Sequence, residues 1–125
     1  MTAESFKSRR TNFITASGLS EREAVLVTNP IDIAYLSGFT GSNGTMVVGP
    51  TVERLFTDFR YQARVFVEAP GMDVVIPKSR MMAAIFDNAR EAGIDRLIVD
   101  EAHVTIAGLR GYESSADGIM FEPRS

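Results

Sequence analysis

Three glycines, Gly38, Gly41 and Gly44, recur at every third position within Tyr35 to Gly44, Y-L-S-G-F-T-G-S-N-G. Phe39, Thr40, Ser42 and Asn43 lie between them. Glycine adopts backbone angles closed to other residues, so such a loop can turn sharply and approach a partner closely. Phosphate binding is one chemistry open to it. The lysine of a P-loop is missing, however, a strand and not a helix is expected next, and the dinucleotide fingerprint fails on spacing. A Ser-His-Asp arrangement through Ser42 lacks the G-x-S-x-G elbow. The loop therefore reads as a surface that fits against something, or as a tight connection between a helix and a strand.

Other side chains with chemical potential are scattered. His103 is the only histidine; beside Asp100 and Glu101 it suits a metal ligand or a base, and its place at a helix start suits a surface or capping role. Asp58 and Asp100 each follow an apolar run. At neighbouring strand ends two carboxylates can bind a divalent cation, but helix capping is the favoured reading. Arg60 and Tyr61 beside Asp58 can grip and buttress a carboxylate, or fix a helix start through an internal ion pair. Arg9 and Arg10 read as a solvated face, and Met81 and Met82 as core filling.

These residues need a scaffold, and 125 residues is a single-domain length. The 45% apolar and 23% charged fractions are ordinary for a globular chain. Without cysteine there is no disulfide, thiolate cluster or cysteine nucleophile. The net charge of −3 argues against nonspecific nucleic-acid binding. No apolar run approaches the roughly 20 residues of a membrane span, and the polar N-terminus lacks the core of a signal peptide.

Along the chain, Thr2 to Ser17 places Ala3, Phe6, Phe13 and Ala16 on a helical stripe that Gly18 can end. Ser20 and Glu23 match a capping box, yet Ala24 to Thr28 reads as a buried strand. Asn29-Pro30 is the stronger helix start, with Asp32 in its first turn and a stop at Gly38. A hairpin of Thr45–Val48 and Arg54–Thr57 follows, turning at Gly49-Pro50. Asp58 to Ala69 is helical in period, with Phe59, Ala63 and Phe66 on one side and Tyr61 and Val65 adjoining. Met72 to Ile76 reads as a strand. Ser79 is the expected cap of a helix carrying Met82, Ile85, Phe86 and Ala89, which Gly93 ends. Leu97 to Val99 reads as a central strand covered on both faces, Ala102 to Tyr112 as a weaker helix and Ile119 to Phe121 as a last strand. This alternation predicts an α/β layered fold with a mixed sheet. A linker to another domain is expected to begin just after Pro123.

Two segments together resemble the N-terminal domain of the creatinase and Xaa-Pro peptidase family (aminopeptidase P, prolidase). They are N-P-I-D-I-A-Y-L-S-G-F-T-G-S-N-G, Asn29 to Gly44, and L-F-T-D-F-R-Y-Q-A-R-V-F-V-E-A-P-G, Leu55 to Gly71. The flanking A-V-L-V-T, M-D-V-V-I-P and L-I-V-D runs keep the expected order. One departure is visible: Arg64 and Val65 stand where the family often has Gln-Ala.

The resemblance implies a three-layer α/β/α domain with a ribonuclease-H-like motif, spanning residues 1–125. It also implies a separate pita-bread catalytic domain, absent from this chain, with two divalent metals, manganese or cobalt. This chain is expected to hold no metal, no cofactor and no catalytic residue. Expected partners are the C-terminal catalytic domain, a second subunit and, in the parent enzyme, a proline-containing peptide; nucleic acid and membrane are not expected. The expected location is the cytoplasm. Gly38, Phe39, Thr40, Gly41, Ser42, Asn43 and Gly44 become lid candidates over a neighbour's substrate entrance, with Phe39 as an apolar contact. Asp58, Arg60 and Tyr61 become framework residues. A creatinase-like amidinohydrolase parent and a stand-alone binding module are the alternatives.

Overall fold

The structure is a computed structural model and describes residues 2–125. Helix α1 (Ala3–Ser17) starts where the Thr2 side chain accepts a hydrogen bond from the Ser5 amide, and ends at left-handed Gly18, φ 62°. Strand β1 (Glu23–Val27) follows a turn in which Glu23 Oε1 accepts from the Ser20 amide at 2.8 Å. The capping-box residues thus do meet, but in a turn that feeds a strand. Helix α2 (Pro30–Ser37) has Asn29 as its cap, bonded to the Ile31 amide, with proline in its first turn. Strands β2 (Gly44–Gly49) and β3 (Val52–Thr57) form the hairpin.

A 3₁₀ turn, Phe59–Tyr61, leads into α3 (Gln62–Glu68). The remaining elements are β4 (Asp73–Val75), α4 (Met81–Glu91), β5 (Arg96–Asp100), α5 (Ile106–Ser115) and β6 (Met120–Arg124). The sheet runs β4-β3-β2-β1-β5-β6. Strand β2 is antiparallel to both β1 and β3, and the other pairings are parallel. The fold is α/β with the expected mixed sheet.

Two apolar clusters fill the layers. On one face, Ile85, Phe86 and Ala89 of α4 meet Leu26, Phe56, Leu97 and Val99, with Tyr112 and Phe121 packed alongside. Burying a side chain such as Phe86 contributes roughly 1.5–3 kcal/mol. On the other face Ile33, Leu36, Phe39 and Val65 close over Val27, Met46, Val48 and Leu55.

Several expectations need correction. Arg10 is not solvated: it is 4% exposed, its Nε donates to Glu53 Oε1 at 2.8 Å and its Nη1 to the Leu36 carbonyl at 2.9 Å. Burial pushes the Glu53 carboxyl up, but hydrogen bonds from Lys7 and Arg10 outweigh it and hold the group below its ordinary value. Arg9 lies over the Tyr35 ring, 4.2 Å from its centroid. Ser79 does not cap α4, which begins after Arg80 without a side-chain cap. Helix α5 starts later than expected, behind a Thr105 cap, and leaves His103 exposed in the preceding turn. Pro123 lies inside β6, where an edge strand tolerates the missing N–H. Phe59, Ala63 and Phe66 do fall on one side, as expected; that side is the outward one, and Val65 takes the inward position.

Candidate functional site

The glycine loop leaves α2 at Gly38, whose φ of 91° favours glycine and whose added Cβ would overlap the Glu68 carbonyl. The chain then drives Phe39 inward to 1% exposure. Its ring meets Tyr61 edge to face at 5.6 Å. A Cβ at Gly41 would overlap that same Phe39 ring. The close approach that the glycines permit is thus made within the chain: the loop folds down over its own aromatic residue.

Hydrogen bonds fasten the upper surface of the loop to the segment after β3. Glu68 Oε1 accepts from both the amide and the hydroxyl of Thr40 at 2.8 Å. Arg64 donates to Glu68 Oε2 at 2.6 Å and to Thr40 Oγ1 at 2.7 Å. The Ser42 amide donates to Tyr61 Oη at 3.3 Å, and the two hydroxyls are 2.5 Å apart. Asn43 Nδ2 donates to Asp58 Oδ2, and Thr57 Oγ1 to the Asn43 carbonyl, each at 2.5 Å. Asp58 also grips Arg60 through both carboxylate oxygens at 2.8 Å and accepts from its amide.

The charges follow from these contacts. Arg60, then Asn43, hold the Asp58 carboxyl well below the usual carboxylate range. Arg64 does the same, more mildly, for Glu68. The Ser42 hydroxyl lowers the Tyr61 phenol. Both carboxyls are thus favoured in the charged form that accepts the hydrogen bonds of the loop.

All ten residues singled out in the sequence, Gly38 to Gly44 with Asp58, Arg60 and Tyr61, come together here. Phe39 sits beneath the loop as an anchor and presents no ring at the surface. Arg64 and Glu68 are part of the latch although sequence reasoning did not select them; their i, i+4 opposite charges were the available signal. Asp100 and His103 stay away. Strands β3 and β5 are separated by β2 and β1, which sets their ends about 14 Å apart at about 4.8 Å per strand. Asp100 Oδ1 instead accepts from the Ala102 amide at 2.9 Å. Among the described residues no three histidine, aspartate or glutamate side chains gather to hold a metal. The donor set does not suit one either, since both Asp58 oxygens are engaged with Arg60 and Asn43.

Beside the latched loop stands an apolar ridge. Phe59, Phe66 and Val67 are 76%, 60% and 80% exposed. No helix of the described residues is long and apolar enough to cross a membrane.

This fold is found in known proteins. The N-terminal domain of the cytoplasmic peptidase PepQ from Mycobacterium tuberculosis H37Rv is 31% identical, with a TM-score of 0.74 over 95% of this chain and 90% of that one. The Xaa-Pro dipeptidase from Bacillus anthracis shares the fold at 22% identity, with a TM-score of 0.83, over 99% of this chain and 34% of that one. The uncharacterized peptidase YqhT of Bacillus subtilis (strain 168) is 26% identical over 92 residues, 74% of this chain. The chain spans only 26% of the length of that relative. The family model for the creatinase/prolidase N-terminal domain matches residues 9–124, and the chain belongs to that family.

Proposed function

We propose that this chain is the noncatalytic N-terminal domain of a metal-dependent Xaa-Pro peptidase, an aminopeptidase or a dipeptidase, working in the cytoplasm. Its task is to join two subunits and to shape the substrate entrance of the neighbouring one. The observation that carries this reading is the pairing of a fastened loop with an exposed apolar ridge. Exposed aromatic residues on consecutive elements, here the 3₁₀ turn and α3, are typical anchors of a protein interface. A loop held by this many hydrogen bonds keeps its shape on approach, as a wall of an entrance must. Phe39 serves as the floor that sets the height of the loop, and the exposed Thr40 and Ser42 form its outer surface. The parent reaction, hydrolysis of an X-Pro bond, belongs to a C-terminal domain with two divalent metals.

The test is direct. The protein encoded by the whole reading frame, supplied with manganese, is expected to hydrolyse an X-Pro dipeptide, and residues 1–125 alone are not. Robust turnover by residues 1–125 overturns the noncatalytic role. A natural stop codon after Ser125 overturns the multidomain reading and favours a stand-alone binding module.

A further inference from the structure

The two helical layers do not cover the sheet equally. On the α1 side of β1, β5 and β6, the parallel register sets Val25, Ile98 and Glu122 in one row and Asp100 and Arg124 in the next. Arg96 bridges Glu122 at 3.1 Å and Glu23 at 3.6 Å, and Arg124 pairs with Glu122. Met120, on the same side of β6, is 64% exposed. A fully covered sheet would carry apolar residues at such positions. This half-face is charged and open.

Where it meets α1 there is a cavity of about 710 Å³. Its origin is topological. After β1 the chain turns to α2 on one face, and after β5 it turns to α5 on the other, so the carboxyl ends of two adjacent parallel strands part. Phe13 and Ala16 form one wall, Val25 and Ile98 the floor, and Arg124 and Ser125 the far rim. The Arg124 Nη1 donates to the Ser17 carbonyl at 3.0 Å, which ties the end of β6 to the end of α1 at the mouth of this groove.

We infer that this groove, with the open half-face beside it, is the seat of the polypeptide that follows β6 in the longer relatives: an apolar side chain enters between Phe13 and Ile98, and polar residues cross the charged half-face. The inference rests on the multidomain reading above. Two observations select this occupant over others. The rim is built by Arg124 and Ser125, so chain continuing from there enters at the groove. The match to the Bacillus anthracis enzyme takes in 99% of this chain but 34% of that one, leaving a large domain to be placed.

The absence of cysteine makes the test clean on this side of the junction. Ala16→Cys and Asn12→Cys place thiols at exposed positions that line the groove, and Ser114→Cys places one on the exposed surface of α5. Maleimide labelling is followed in residues 1–125 and in the full-length protein. The groove thiols are expected to react at least 10-fold more slowly in the full-length protein, with Ser114→Cys unchanged. Equal rates at both groove sites in a full-length protein that hydrolyses an X-Pro dipeptide overturn this inference and leave the peptidase reading standing. Protection that already appears in residues 1–125 and grows with concentration also overturns it, because the occupant is then a second copy. Loss of the peptidase reading itself shows separately, as absence of turnover.

Discussion

The ridge and the groove lie at different strands of the sheet, the first after β3 and the second at β1 and β5, and are built in opposite ways. At the ridge, a 3₁₀ turn and the short helix α3 turn Phe59, Phe66 and Val67 outward, and the loop beside it is held by hydrogen bonds and a buried ring. At the groove, apolar side chains are recessed between a helix and two strands, and the rim carries the charge. A projecting apolar surface on a fixed base is suited to entering another molecule. A recess is suited to receiving one. On this difference rests the proposal that the ridge contacts a second subunit and that the groove receives polypeptide of the longer chain.

The comparison can be broken at the anchor first. Phe39→Ala removes the floor of the loop and one of the largest fully buried side chains. It is expected to cost residues 1–125 about 3–5 kcal/mol in denaturant unfolding. A loss below about 1 kcal/mol, on the scale of surface substitutions, means that Phe39 does not anchor the loop. Tyr61→Phe keeps the ring contact and deletes the hydroxyl that Ser42 uses. The expected effect is faster amide exchange at Ser42 with little change at Leu97. Uniform change across the sheet would show that the latch is not local. At the ridge, Phe66→Ser should alter the stability of residues 1–125 by no more than about 0.5 kcal/mol, because that side chain is already exposed. A larger loss would place Phe66 in the fold and not in an interface.

The smallest effect is a split between two tyrosines. Tyr61 is lowered from 10.0 by the Ser42 hydroxyl, and Tyr112 is raised from 10.0 by burial. On an alkaline titration Tyr61 should ionise first. Its lowered value means that folding favours the phenolate, so its contribution to stability is full above the ordinary value and is lost as pH falls through the lowered one. Tyr112 acts with the opposite sign: its contribution is full below the ordinary value and is lost as pH rises through the raised one. Coincident titration of the two would contradict the Ser42–Tyr61 bond.

Much of this was legible because its causes are local. Asn29, Pro30 and Gly38 bracket α2 by capping chemistry, and Gly49-Pro50 marks the hairpin. What was missed depends on distant or phase-shifting causes. Arg10 is buried because Glu53, 43 positions away, is there to meet it. A helical period puts Phe59 with Ala63 and Phe66, but gives no direction for that stripe. The tighter 3₁₀ turn at 59–61 sets the phase in which α3 arrives, and Val65 is the residue that faces in. The glycine loop was recognised as a site of close approach. That the approaching group would be Phe39 required the fold.

The central claim is that the ridge beside the loop acts on a second subunit. It is tested by kcat/KM for an X-Pro dipeptide in the full-length protein carrying Phe59→Ser and Phe66→Ser, measured with its sedimentation behaviour and metal content. The account predicts a shift from dimer to monomer and a fall of about 10-fold in kcat/KM, or about 1.4 kcal/mol, with metal content unchanged. A variant that stays dimeric with unaltered kcat/KM would contradict it.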